Sequence, residues 1–183
     1  MEVELKAEHA RLNAYVAVTV AILSVISAIS NVKNSNLAQQ MAFTKGNAVD
    51  VWNQYQSTRI KLHTDEDALG TISFANGNEA ARAAEVKRLQ TRIAKYTAES
   101  RELMEKAKGE DERYERLDLH HEQFDMVEAL NSIGIALAAV AALTDFFWLL
   151  CVSWAFGASG LAMALLGFTG SNFHPEFFMS WLG

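Results

Sequence analysis

The chain is almost without breakers. Among its 183 residues there is one proline, Pro175, so nothing before the C-terminal tail forces a helix to end. The single cysteine, Cys151, excludes a disulfide within the chain and with it the small disulfide-stapled folds. There is no glycine-rich phosphate loop, no close cysteine pair and no nucleophile beside a partnered base, so neither an enzyme nor a cofactor is expected. A basic surface is missing too: the net charge of -6 argues against nucleic acid as a partner, because phosphate neutralisation needs cations. Positive charge is also scarce at both ends. Fourteen of the sixteen Lys and Arg lie between Lys33 and Arg116, and the stretch from Ala129 to Thr144 carries no charge of either sign. Segregation of that kind separates membrane-embedded from water-exposed parts.

What is present is helical periodicity. From Glu79 to Leu143 a seam runs at alternating steps of three and four: Val86, Leu89, Ile93, Tyr96, Ser100, Leu103, Ala107, Glu110, Tyr114, Leu117, His121, Phe124, Glu128, Asn131, Ile135, Ala138 and Ala142. It starts among Lys, Arg and Glu and ends among Ala, Leu and Ile without changing phase. A second seam, Leu37, Met41, Thr44, Ala48, Val51, Tyr55, Thr58, Leu62 and Leu69, precedes it. Phe43, Trp52 and Ile60 lie off that seam, so this helix is expected to bury more than one face. Gly70 to Asn78 reads as a turn with Asn78 as N-cap, which makes the two charged arms antiparallel, each ~60 to 70 Å long at helical rise.

Three apolar stretches bracket the charged middle. Leu12 to Ile29 is long enough, at ~27 Å, to cross most of a bilayer core. Lys6 and Arg11 precede it, and Ala28-Ile29-Ser30 is an imperfect cleavage site; the expectation is an uncleaved span. Asn13, Ala17, Val20, Ser24, Ser27 and Asn31 give it a small and polar face suited to another helix. Phe146 to Phe168 follows the second span after only Thr144-Asp145, and its small face is Ser153, Gly157, Gly160, Ala164 and Gly167. The expected fold is therefore an all-α membrane protein with three transmembrane helices and a long antiparallel, coiled-coil-like extramembrane hairpin. Its parts are an N-terminal tail (1–11), spans at 12–31, 127–143 and 146–168, the hairpin at 32–126 with its turn at about 70–78, and an interfacial tail at 171–183 built on Pro175, Phe177, Phe178 and Trp181.

In these residues the chain resembles a bacterial membrane-protein family described as domain of unknown function 4337. The likeness rests on the first span running into an Asn- and Gln-rich segment, on Asp50-x-Trp52-x-x-Tyr55-Gln56 with Lys61 following, on His120-His121 before the second span, and on the Ala-rich Ile135 to Thr144 with Trp148. It covers nearly the whole chain. It implies an integral membrane protein with a helical extramembrane hairpin and no established reaction, ligand or catalytic residue. Asp145 departs from the neutral or basic turn expected there.

The candidate chemistry is modest. His121, Asp125 and Glu128 share a helix face at the edge of the second span, where copies from several subunits could hold a divalent metal; hydrogen bonding to neighbouring helices is the simpler use. Asp50, Trp52, Tyr55 and Gln56 could bind a ligand, although aromatics at helical spacing usually pack. The residues expected in helix packing or oligomer contacts are Ser24, Ser27, Asn31, Tyr55, Leu62, Leu89, Ile93, Leu103, Leu117, Gly157, Gly160, Ala164 and Gly167. The expected partners are the lipid bilayer and further copies of the chain, since two long helices are too thin a layer to bury both faces of the first arm. The expected place is the bacterial cytoplasmic (inner) membrane or its invaginations, multi-pass, with the hairpin leaning to the cytoplasmic side. A structural or scaffolding assembly is the expected function; the alternative is an oligomeric channel lined by Ser24, Ser27 and Asn31 or by Glu128.

Overall fold

The computed structural model describes residues 2–72 and 78–171, with side chains from His9 onward. It is all-α, with three helices: α1 (Glu2–Ile72), α2 (Glu79–Thr144) and α3 (Phe147–Thr169). Each is long and apolar enough to cross a membrane. The absence of proline lets α1 run for 71 residues and α2 for 66. Residues 2–11, expected as a tail, are already helical in backbone. The expected turn at 70–78 narrows, because α1 continues to Ile72; residues 73–77 and the expected interfacial tail beyond Ser171 lie outside the described residues.

The ends of the helices follow from local chemistry. Asn78 caps α2, its Oδ1 accepting from the Ala80 amide at 2.9 Å while its carbonyl accepts from Arg82. Gly170 ends α3 in the left-handed region, φ 71°, where its amide and that of Ser171 both reach the Leu166 carbonyl; only glycine takes that conformation freely. Between α2 and α3 the left-handed residue is Asp145, φ 58°. Aspartate tolerates this region better than most side chains, and its carboxylate meets His9 Nδ1 at 2.6 Å, which gives the unexpected acid at this turn a structural partner.

The chain divides into two compact units, Met1–Gln40 with Arg116–Gly183, and Met41–Glu115. In the first unit α1 and α3 each run antiparallel to α2. One apolar cluster joins Leu12 and Val16 of α1 to Ala138 and Ala141 of α2 and Leu150 of α3; a second joins Leu37 to Phe124, Val127 and Leu130 and to Met163 and Ala164. Both faces of α2 are used, and so Gln123, Met126 and Val127 are buried beside the seam residues Phe124 and Asn131.

Small residues set the helix spacing in this unit. Ser153, Gly157, Gly160, Ala164 and Gly167 all lie buried on the inner side of α3. A Cβ at Gly157 would stand 2.7 Å from a Leu23 methyl, and one at Gly160 2.5 Å from Asn131 Oδ1. At Gly134 on α2 a Cβ would stand 3.3 Å from the Ser153 carbonyl oxygen, so α2 and α3 meet there backbone to backbone.

In the second unit the outer parts of α1 and α2 pair antiparallel. Ala48, Val51, Thr58, Leu62 and Asp65 are buried on α1, facing Leu89, Ser100 and Ala107 of α2. Along α2 every residue of the heptad seam from Val86 to Ala142 is buried or half-buried except Glu128.

These contacts separate two kinds of glycine. Gly109→Ala meets nothing within 4 Å and should stabilise α2 by about 0.5–1 kcal/mol, raising the thermal midpoint followed by circular dichroism in detergent. Gly160→Ala should lower it, at about 1–3 kcal/mol for overpacking against Asn131.

Candidate functional site

The polar residues of the first unit concentrate between helices. Asn34 bridges two of them. Its Nδ2 donates to Asp125 Oδ1 at 2.6 Å, and its Oδ1 accepts from His121 Nδ1, so one amide on α1 holds two side chains one turn apart on α2. Both roles of the amide are filled only when the imidazole proton sits on Nδ1. His121 Nε2 then faces Asp125 Oδ2 at 3.7 Å, too long for a direct hydrogen bond.

Further along the same helices the pairs continue. Asn131, fully buried, donates to Ser27 Oγ at 3.1 Å. Its Oδ1 finds no hydrogen-bond partner among the described residues and points where a Cβ of Gly160 would be; the glycine leaves a Cα–H there, a weak donor. Ser153 Oγ donates to the Gly134 carbonyl at 2.7 Å, Trp154 Nε1 to Thr19 Oγ1 at 2.8 Å, and Gln123 Nε2 to the Ser171 carbonyl at 2.9 Å. These bonds tie α1 to α2, α2 to α3 and α3 to α1. Where water is excluded, each is worth about 0.6–2 kcal/mol.

The second unit has its own polar contacts. Trp52 Nε1 donates to Asp111 Oδ2 at 3.0 Å, Thr58 to Glu99 at 3.4 Å, and Arg92 meets the buried Asp65 at 2.9 Å. Tyr55 stands edge-on to Trp52 at 5.5 Å, and Lys45 lies over the Tyr114 ring. Trp52 and Tyr55 therefore pack, while Asp50 and Gln56 are exposed, and the four do not form a pocket.

The residues singled out in the sequence fall into three groups. Leu62, Leu89, Gly157, Gly160, Ala164 and Gly167 are buried, and Ser27, Tyr55, Ile93, Leu103 and Leu117 are half-buried, all between helices of the chain itself. Ser24 and Asn31 are exposed; the inward face of the first span is instead Leu12, Val16, Thr19, Leu23 and Ser30, about a third of a turn away. His121 and Asp125 are brought together through Asn34, whereas Glu128 is exposed and apart. No three His, Cys, Asp or Glu side chains converge among the described residues. A shallow apolar groove of about 200 Å³ lies between α1 and α3, lined by Ile22, Leu23, Ile26, Trp154 and Leu161.

Two residues escaped the sequence reading. Asn34 and Asp65 both continue the α1 seam, at Ser30-Asn34-Leu37 and Leu62-Asp65-Leu69, and both are buried. Phase alone could have found them; polarity argued the other way.

A family model spans residues 12–170, from the first residue of the inner seam to the cap of α3: domain of unknown function DUF4337. The chain belongs to this family. Comparison with curated proteins and with solved structures finds no match. The DUF4337 match covers the polar side chains from Thr19 to Trp154 described above.

Loss of the Asn34 amide strands two partners at once. Asn34→Ala should cost about 1–3 kcal/mol of stability, read as a lowered unfolding temperature in detergent. Glu128→Gln should leave that temperature unchanged, since the exposed carboxylate holds no helix in place.

Proposed function

We propose that this DUF4337 protein is an integral membrane protein of three spans whose charged helical hairpin, residues 32–126, stands outside the bilayer, and that copies of it assemble into a structural scaffold. The observation that carries the reading is the inversion of the first unit. Its outward side chains are Val18, Ile22, Val25 and Ile29 on α1, Val140 and Leu143 on α2, and Phe147, Trp148, Leu165 and Phe168 on α3. Its interior holds Gln123, Asn131, Ser30 and Ser153. A domain in water does the reverse. Hydrocarbon makes the arrangement favourable, because outward apolar groups cost nothing there and inward polar groups such as Asn131 and Ser153 bond to neighbouring helices.

A scaffold is supported by where the polar groups point. Among the described residues they tie helix to helix, and the groove between α1 and α3 is apolar. Self-assembly is supported by the second unit, where Phe43 and Ile60 are 75% and 67% exposed beside charged neighbours. Isolated helices seldom leave such side chains in water when a copy can cover them.

Exposure of Ser24 and Asn31 among outward Ala, Val and Ile side chains of the first span favours a second reading, a pore formed between copies. Reconstituted vesicles discriminate the two. Alkaline carbonate should leave the protein in the membrane pellet and detergent should release it, and proteoliposomes should show no more ion flux than empty vesicles. Release by carbonate would end the membrane reading; flux altered by Ser24→Ala or Asn31→Ala would replace the scaffold with the pore.

A further inference from the structure

The outward side of α1 repeats every seven residues. Ala14-Tyr15-Val16-Ala17-Val18, Ala21-Ile22-Leu23-Ser24-Val25 and Ala28-Ile29-Ser30-Asn31-Val32 are three copies of one pattern: alanine, a large apolar residue, an inward residue, a small residue, valine. The inward position of each copy is buried against the rest of the chain. The other four are exposed in all three copies, with Tyr15, Val18, Ile22, Val25, Ile29 and Val32 between 53% and 66% exposed. At the centre of this face Ala14, Val18, Ala21, Val25, Ala28 and Val32 alternate at steps of four and three. That is a helix-packing seam that, among the described residues, the rest of the chain does not cover.

We propose that this seam is the contact through which copies of the chain assemble, α1 against α1 in parallel. The inference rests on the membrane and self-association reading above and assigns it a surface. Two observations select a second copy over lipid. Alanine at every seventh position lets two backbones approach closely, which packing against a helix requires and lipid does not. Ser24 and Asn31 sit on one rim of the seam, where hydrocarbon would leave their polar groups unsatisfied and a symmetry-related copy offers the same groups in return.

Charge is compatible with self-pairing. Between Arg11 and Lys33 α1 carries no ionisable side chain except Tyr15, so two copies can close along ~30 Å of helix without burying or opposing a charge. The side chains also suit it. Valine and isoleucine have little χ1 freedom to lose when packed. Of the three spans α1 is the least covered within the chain: 22% of its apolar window is buried, against 39% for α2 and 28% for α3.

Disulfide mapping tests the seam. In the full-length protein with Cys151→Ala, a surface position, single cysteines are placed at Val18, Ala21, Val25 and Ala28, at Thr19 on the inward face, and at Leu161 and Leu165 on α3. Oxidation in native membranes should give dimer bands at the four seam positions and none at the other three. Ala21→Leu with Ala28→Leu should reduce the assembly to smaller species by light scattering in detergent. Helix content should be unchanged, since both positions are exposed in the single chain; Val25→Ile should keep the assembly. An assembly that persists in the double-leucine variant and crosslinks through α3 would overturn the seam and leave self-association standing. A protein held in carbonate-washed membranes yet monomeric throughout would overturn both. Seam crosslinks only to other proteins would overturn the assignment of a second copy.

Discussion

The close approach of α2 and α3 at Gly134 and Ser153 is the constraint from which the first unit follows. Ser153 can donate to the Gly134 carbonyl only because neither residue places a large group between the backbones. With the two helices at that spacing, Leu23 of α1 fills the notch left by Gly157, and Asn131 occupies the space beside Gly160. A methyl group added at Gly157 or Gly160 would displace the side chain of Leu23 or of Asn131, and with Asn131 the bond to Ser27 that ties α1 to the same level. Small residues therefore determine the distances, and polar residues then determine the register.

Register is a separate problem from spacing, and a uniform apolar seam does not solve it. Apolar side chains pack nearly as well when one helix slides by a heptad. Directional bonds do not: Asn34 reaches both His121 and Asp125 at one stagger only, and Trp154 reaches Thr19 at one stagger only. The second unit uses ion pairs and indole for the same purpose, with Arg92 on the buried Asp65 and Trp52 on Asp111. The polar groups that invite a search for catalysis or metal binding are thus accounted for by helix alignment. A DUF4337 chain built this way holds its helices in fixed order and leaves apolar side chains such as Ile22, Val25, Leu143 and Leu165 on the outer faces of the first unit.

Much of this was legible in the residues. The near absence of proline predicts very long helices, the heptad steps predict which side of α2 is inside for almost sixty residues, and Asn78 announces the start of that helix through its side chain. The small face of α3 is likewise found on the inner side. On the first span the small and polar face given by composition is not the one the chain buries. Leu23 goes inward because α3 offers it the notch at Gly157, Val16 packs with Ala138, Ala141 and Leu150, and Ser24 and Asn31 remain outside.

What the sequence by itself determined is periodic: helix type, helix length, the phase of each seam and the separation of charged from apolar segments. These depend on neighbours three, four and seven residues apart, and a linear string contains all of them. Only the tertiary structure decided which polar side chains meet. Asn34 and Asp125 are 91 residues apart and Ser27 and Asn131 104, and no local period links them. Their pairing depends on the stagger of one helix against another, which the backbone contact at Gly134 and Ser153 and the notches along α3 set in three dimensions. The same geometry left Glu128 outside the His121–Asp125 pair, because a shared face on one helix becomes a cluster only where another helix supplies the residue, here Asn34, that closes it.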